Sequence, residues 1–226
     1  MDFALSEDQV AFRDAARTFA DAEFAPHAAT WDKDKTFPRA TIARAGELGF
    51  CGLYTPEALG GMGLPRLDSA IVLEALAGGC TSTTAFISIH NMATWMVAEF
   101  GAADVFAPLV AELAAGRALA SYCLTEPGAG SDAGSLVTRA ERDGDSYVIN
   151  GDKTFISGAG ATDVLVLMAR TAATGNKGIS TFVVPADADG ISYGGNLEKL
   201  GWHSQPTREV RFDDVSVDAT RRLGDE

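Results

Sequence analysis

Apolar and polar residues follow a helical period in the first half of the chain. Ser6 and Gln9 have the spacing of a capping box ahead of the first apolar stripe, which Pro26 is expected to end or deflect. The segment Leu67–Ala77 repeats the helical spacing of apolar positions. Thr81–Phe100 is long and has few polar residues, so we expect a buried helix there.

Glycine and proline mark where the other predicted helices begin and end. Pro38 suits the first turn of a helix that runs through Leu48 and that Gly49 would stop. The Gly- and Pro-rich segment Tyr54–Pro65 is predicted to be a loop. A last helix, with Asp104 as its cap, is predicted to run up to a terminating glycine.

The second half contains short apolar or alternating runs separated by turn residues. The predicted strands are Ala118–Leu124, Val137–Arg142, Ser146–Ile149, Thr154–Ser157, Val164–Ala169, Ser180–Val184, Ile191–Tyr193 and Glu209–Phe212. Asn150-Gly151-Asp152, between two of these runs, is typical of a tight hairpin turn. Short strands with regular turns favour a small antiparallel barrel or sandwich. We therefore predict the α+β class, with an N-terminal all-helical domain at residues 1–117 and a β-domain at residues 118–226.

Composition and charge argue against several classes of function. The chain has 226 residues, of which 46% are apolar and 22% charged, as in an ordinary globular protein. Its net charge is −13 and neither half has a basic face, so we expect no binding to nucleic acid. No apolar stretch is long enough for a membrane span, and the acidic start lacks the features of a signal or transit peptide.

The cysteines and histidines form no recognisable disulfide or metal pattern. Cys51, Cys80 and Cys123 are an odd number without CxxC spacing, which favours a reducing compartment such as the cytoplasm. The histidines also lack metal-ligand spacing. We therefore predict no metal site.

The loop after Leu124, with the sequence TEPGAGSD, carries the most chemical information. Gly128 and Gly130 allow a ligand to approach the backbone, where successive N–H groups can bind an anion. Thr125 and Ser131 add hydroxyl donors. The loop has neither the Gly-Lys-Ser/Thr of a phosphate loop nor the GxGxxG of a dinucleotide-binding fold. Taken alone, such a loop is more often a plain turn.

The neighbouring segments change that interpretation. The ordered series LTEPGAGSD, NGDKTFISGAG, GISTFVVP, GWHSQPT and EVRFDDVSV resembles the acyl-CoA dehydrogenase family, as do LSEDQVAFRDAARTFADAEFAP and YTPEALGGMGLPRLD near the start. GWHSQPT and FISGAG are most similar to isobutyryl-CoA dehydrogenase-type members. Trp202, within GWHSQPT, is expected to anchor the core, with a position beside the flavin as its alternative. The resemblance implies the family's helical domain and middle β-domain. The family's C-terminal four-helix domain has no counterpart in these residues.

The resemblance also implies FAD as the cofactor, with its ring against the β-domain. The implied flavin contacts are Tyr122, Leu124, Thr125, Gly130, Ser131, Phe155, Ile156 and Ser157. Ser131 would lie between the flavin and an acyl-CoA substrate, and His90 would border that substrate, with core packing as its alternative role. The family often has Trp and Thr where this chain has Phe155 and Ser157, which keep an aromatic face and a hydroxyl.

The implied reaction is α,β-dehydrogenation of an acyl-CoA, with electron-transfer flavoprotein as the electron acceptor. The family's proton-abstracting Glu belongs to the C-terminal domain, so we predict no catalytic residue here; Glu126 and Asp132 fit other roles. We expect the chain to act as a homo-oligomer or together with a C-terminal-domain chain. The alternatives are a flavin oxidase or monooxygenase of the same fold and a non-catalytic binding protein.

Overall fold

The helices come first along the chain and the strands second, as the residue pattern predicts. The computed structural model describes residues 4–172 and 176–224. Its α-helices are α1 (Glu7–Phe19), α2 (Ala25–Lys33), α3 (Arg39–Glu47), α4 (Arg66–Ala77), α5 (Thr81–Phe100) and α6 (Ala103–Ala114). Its strands are β1 (Ala120–Cys123), β2 (Arg139–Asp143), β3 (Ser146–Ser157), β4 (Val164–Arg170), β5 (Ile179–Pro185), β6 (Ile191–Tyr193), β7 (Thr207–Asp218) and β8 (Arg222–Leu223).

Local capping chemistry explains the start of the helical region. The predicted capping box is confirmed, since Gln9 N donates to Ser6 Oγ (3.2 Å) and Ser6 N donates to Gln9 Oε1 (3.0 Å). Between α1 and α2 the chain forms one π-helical segment, Ala20–Phe24. Pro26 lies in the first turn of α2, where its missing N–H removes no helical hydrogen bond. The three helical segments follow one another without a break, so Pro26 lies just after the π-helical turn rather than at the end of a helix.

Two predicted helix starts are displaced. Pro38 is the N-cap of α3 and the helix proper begins at Arg39, while Gly49 follows the helix with a positive φ of 85°, as a terminating glycine should. Ala102, and not Asp104, is the N-cap of α6. Asp104 lies in the first turn, where its carboxylate still interacts favourably with the helix dipole.

The strands form one sheet, which is mixed rather than purely antiparallel. Its order is β6-β7-β3-β2-β4-β5-β8, and β1 pairs with β4 outside this path. β1 and β4 are parallel, and so is the single pair that joins β2 to β4. The other pairings are antiparallel.

The predicted hairpin at Asn150-Gly151-Asp152 is wrong, because β3 continues through these residues. β3 pairs with β7 along its length, with a register shift between Ile149 and Gly151 that marks a bulge. Gly151 has a φ of 149°, and a Cβ there would lie 2.5 Å from Thr138 Oγ1. The glycine therefore permits the close approach of the neighbouring segment. The Asn-Gly sequence reflects a bulge and not a turn.

One hydrophobic cluster joins the last helices to the sheet. Val97 of α5 and Leu113 of α6 belong to the same buried cluster as Ala120, Val164 and Val166 of the strands. The helices thus cover one face of the sheet, and the predicted division at residues 117/118 stays a prediction. Among residues 4–172 and 176–224, no helix is long and apolar enough to cross a membrane.

Candidate functional site

The two segments predicted to contact flavin lie side by side. Thr154 N donates to Thr125 O at 2.8 Å, which joins the loop after β1 to the end of β3. Ser121 Oγ donates to Ser157 O at 2.7 Å and also bonds the Thr162 hydroxyl at 2.8 Å. Residues far apart in sequence thus form one continuous surface.

Several hydroxyls of this surface are free to bind a ligand. Within the described part of the chain, the side-chain oxygens of Tyr122, Thr125, Ser131 and Ser157 have no hydrogen-bond partner. Desolvation of the half-buried Tyr122 raises the pKa of its phenol, which therefore stays protonated as a donor. By contrast, the buried Ser121 hydroxyl is used internally.

The glycines of the TEPGAGSD loop leave an open cradle. Gly128 and Gly130 have no positive φ, and a Cβ built on either would meet no atom within 4 Å. Neither backbone conformation nor protein crowding therefore requires glycine here, whereas a ligand lying against the backbone would. The N–H groups of Gly130 and Ser131 donate to no acceptor in residues 4–172 and 176–224. Such a pair suits a phosphate oxygen.

Phe155 projects an aromatic ring outward from a strained position. Its φ is 58°, its side chain is 65% exposed, and it lies in the second register shift of β3, between Lys153 and Ile156. A bulky residue in the left-handed region is uncommon, and strained residues of this kind cluster at functional sites. The bulge turns the ring out of the core, where an aromatic face is available for stacking.

Leu124 and Ile156 are less available than predicted. Ile156 is buried in the core of the β-domain, so its side chain faces away from any ligand and only its backbone remains for contact. Leu124 is half-buried against the cluster shared with the helices. The flavin contact of Ile156 stays a prediction, and burial of the side chain limits that contact to the backbone.

His90 does not line a substrate site. The ring is fully buried, its Nδ1 accepts from Ala120 N (3.0 Å) and its Nε2 donates to Leu113 O (2.9 Å). Burial lowers the pKa of His90 to about 4, which keeps the ring neutral and matches this donor–acceptor arrangement. The structure therefore corrects the predicted substrate contact, and the alternative role in the core holds. His90 ties α5 to α6 and to β1.

A buried ion pair, which the sequence analysis missed, lies behind the loop. Lys153 is 0% exposed and Glu126 is 4% exposed, with Lys153 Nζ donating to Glu126 Oε1 at 2.7 Å and to Leu124 O at 3.0 Å. Burial alone would raise the pKa of Glu126, but Lys153 and nearby N–H donors hold it below its usual value. Burial lowers the pKa of Lys153, opposed by the carboxylate. The sequence contains one indication that Lys153 is buried. Side chains alternate between the two faces of a strand, and Lys153 has the same spacing as the apolar Tyr147 and Ile149, which point inward.

Arg170 supports the far end of the loop. Its guanidinium donates to Gly134 O (2.7 Å) and to Leu136 O (3.0 Å), which holds the turn Ala133–Ser135 that follows Ser131. These bonds use the side chain of Arg170 inside the protein.

The GWHSQPT segment adjoins the site through its last residues. Gly158 N donates to Pro206 O at 2.8 Å, and Thr207 pairs with Ser157 in the sheet. Trp202 is 50% exposed with a φ of 59°, so its predicted role as a core anchor is wrong. Within the described residues, no group of His, Cys, Asp and Glu could hold a metal ion.

Comparison with known proteins gives a consistent result. The acyl-CoA dehydrogenase N-terminal domain family matches residues 6–117, and the middle domain family of the same enzymes matches residues 121–215. The mitochondrial isobutyryl-CoA dehydrogenase of Bos taurus is 50% identical over 222 residues, which cover 98% of this chain and 53% of that protein. The chain spans about half the length of the curated relatives it matches.

Solved structures share the whole described fold. A glutaryl-coenzyme A dehydrogenase in complex with glutaryl-CoA has a TM-score of 0.94 and 35% identity, covering 100% of this chain and 58% of that one. The structure of PigA with FAD and proline has a TM-score of 0.95 and 28% identity, covering 100% of this chain and 60% of that one. From these matches, which account for nearly every residue, the chain belongs to the acyl-CoA dehydrogenase family, of which it carries the N-terminal and middle domains.

Proposed function

We propose that this chain forms the flavin-binding wall of an FAD-dependent acyl-CoA dehydrogenase. The observation that carries the proposal is the adjacency of the loop after β1 and the end of β3. The loop carries unpartnered hydroxyls and free backbone N–H groups, and the adjacent end of β3 carries another unpartnered hydroxyl and an exposed aromatic ring. A solved relative that contains FAD, at 28% identity over the whole chain, supports the same assignment.

Each group on the surface has a role that its chemistry suits. The N–H groups of Gly130 and Ser131 would hold a phosphate of FAD, and the hydroxyls of Thr125 and Ser157 would donate to the polar edge of its ring. The Phe155 ring would cover part of the flavin and exclude water. When bound, FAD supplies the capacity to accept a hydride from the β-carbon of an acyl thioester. Ser131 would also face the thioester substrate.

The proton acceptor for the α-carbon is not provided by the carboxylates beside the loop. Glu126 is buried in its ion pair with Lys153, and Asp132 accepts a hydrogen bond from Ser135. We therefore propose that a carboxylate outside these residues acts as the base. It would come from a C-terminal helical domain, in the same longer protein or in a separate chain, within a homo- or hetero-oligomer.

The proposed substrate is a short acyl-CoA, and electron-transfer flavoprotein is the proposed electron acceptor. The 50% identity to an isobutyryl-CoA dehydrogenase supports a short, branched acyl group. We propose a reducing compartment such as the cytoplasm, because the three cysteines are free and buried.

FAD binding by the purified 226-residue chain tests the cofactor. We expect the chain to take up FAD, and Gly130→Ala to weaken that binding, because the added methyl would occupy the space the cofactor needs. Gly195→Ala is the matched control, since Gly195 also lacks a positive φ and faces open space. Titration with flavin fluorescence measures both variants. Equal affinity of Gly130→Ala and Gly195→Ala, or no FAD uptake by the wild-type chain, would contradict the proposal.

Turnover distinguishes the dehydrogenase from its alternatives. The chain, co-expressed with a C-terminal helical half of the family, is mixed anaerobically with a panel of acyl-CoA thioesters. Bleaching of the visible flavin absorbance by one of them, with slow recovery in air, is expected for a dehydrogenase. Fast recovery in air would favour an oxidase instead.

A further inference from the structure

We infer that Lys153 and Glu126 are a positioning pair that fixes the relative placement of the two flavin-facing segments. This inference rests on the proposed function, because it assigns the pair a role in holding the FAD surface. Neither side chain reaches that surface, since both are buried behind it. Their effect on a cofactor would therefore be transmitted through the backbone they hold.

Lys153 links the loop to the strand at a decisive position. Its Nζ bonds Leu124 O and Glu126 Oε1, the residues on either side of Thr125. Along β3, Lys153 is the last residue in register with β7 before the bulge that turns Phe155 outward. The ammonium therefore fixes the loop against the bulge.

Glu126 extends the connection to a third segment. Its carboxylate accepts from Val137 N (2.7 Å) and from Thr138 N (2.9 Å), just before β2 begins. Its own backbone closes the tight turn of the loop, since Glu126 N donates to Ala129 O (3.0 Å) and Ala129 N donates to Glu126 O (3.1 Å). The turn leads directly into Gly130 and Ser131, the proposed phosphate-binding residues.

Stability alone does not account for such a pair. Desolvating two charges offsets most of their attraction, and an apolar pair of similar volume is often at least as stabilising. An ion pair differs from an apolar pair because its hydrogen bonds have fixed directions and fixed partners. The four hydrogen bonds made by the two side chains set one arrangement of loop, strand and β2, whereas apolar contacts would permit several.

The test uses a neutral double variant, Lys153→Met with Glu126→Gln, in the 226-residue chain. The substitutions keep side-chain volume nearly unchanged and leave no unpaired buried charge, which would otherwise threaten folding. The matched control is Arg117→Met with Glu112→Gln, which neutralises an exposed pair whose nitrogen and oxygen lie 2.7 Å apart. Urea unfolding establishes that each variant is folded under the conditions of the measurements.

Two measurements decide the result. FAD affinity is expected to weaken by about tenfold in the Lys153/Glu126 variant and to stay unchanged in the control. The visible spectrum of bound FAD should also shift, which a purely structural contribution to stability would not produce. Hydrogen exchange in the flavin-free chain should be faster at Thr138 and Thr154 in the same variant.

The outcomes separate this inference from the proposed function. A wild-type chain without FAD affinity would overturn the proposed function, while hydrogen exchange would still decide whether the pair holds the segments together. Unchanged exchange at Thr138 and Thr154 would overturn the positioning role. Faster exchange with unchanged FAD affinity and spectrum would also overturn it, because the pair would then act on stability alone.

Discussion

Phe155 combines an exposed aromatic ring with a backbone conformation that non-glycine residues rarely adopt. Its φ of 58° lies in the left-handed region, and 65% of its side chain is exposed. The exposed ring gains little free energy from burial, so packing in the core does not explain why a phenylalanine stands at this position. A ligand that stacks on the ring would compensate for the strain.

We expect Phe155→Gly to raise the free energy of unfolding of the flavin-free chain by about 1 kcal/mol, because glycine adopts a positive φ without strain. The same variant should bind FAD more weakly, since the ring face is lost. Urea unfolding and FAD titration measure the two effects. Val148→Gly, on the same strand, is the control and should be destabilising by about 1 kcal/mol. Destabilisation of Phe155→Gly to the same extent would refute the argument from strain.

His90 gives the chain a stability that depends on pH. Burial depresses the pKa of the folded ring from 6.5 to about 4, so the unfolded state binds more protons between these values. The contribution of neutral His90 to the free energy of unfolding is complete above pH 6.5. It decreases by about 3 kcal/mol in total as the pH falls towards 4. Urea unfolding at several pH values measures this slope. His90→Gln should remove this part of the slope; an identical slope in the variant would be evidence against the assignment.

At the scale of elements, a small set of polar contacts holds residues 196–206 to the helices. We call this segment the docking loop. His203 Nδ1 lies 2.8 Å from Asp32 Oδ2, and its Nε2 lies 2.7 Å from Lys199 O. Both ring nitrogens face acceptors, so only the protonated imidazolium satisfies both. Lys35 with Glu198, on the exposed side, forms a second link to α2 and the turn after it.

We expect docking of this loop to weaken as the pH rises. The hydrogen bond from His203 to Asp32 raises the pKa of His203 above its ordinary value of 6.5 and lowers that of Asp32. The contribution of this hydrogen bond to docking is therefore complete at pH values below the pKa of His203 in the unfolded chain. It is lost as the pH rises through the pKa of His203 in the folded chain. Hydrogen exchange of the loop across this range measures it. His203→Gln is the control; loop exchange that varies with pH equally in both proteins would count against the mechanism.

The sequence predicts regular elements well where local chemistry decides them. The capping box of Ser6 and the helix Thr81–Phe100 follow from residues that contact near neighbours in the chain. Asn150-Gly151 misleads because the glycine is required by Thr138, a residue of another segment. Tertiary contacts of this kind leave no trace in the residue pattern of a single segment.

At the scale of the whole molecule, the ordered motifs predict the family more reliably than they predict single contacts. Gly130 lies in a loop and Phe155 lies in a bulge. Both residues face open space, so packing in the core does not explain why these residue types are there. The partner of Lys153 could not be predicted, because Glu126 is 27 positions away and a buried charge is normally avoided. The sequence predicts a substrate contact for His90 because its helix position alone does not tell which face is covered by β1.

The cluster shared by α5, α6 and the sheet has a consequence for how such proteins evolve by recombination. Val97 and Leu113 on the helices complement Val164 and Val166 on the strands, and His90 bonds both sides. A crossover between residues 114 and 120 would join a helical half from one ancestor to a sheet from another. Such a hybrid would keep every motif, yet its stability would depend on how well the helix residues from one parent fit the strand residues from the other in the shared core.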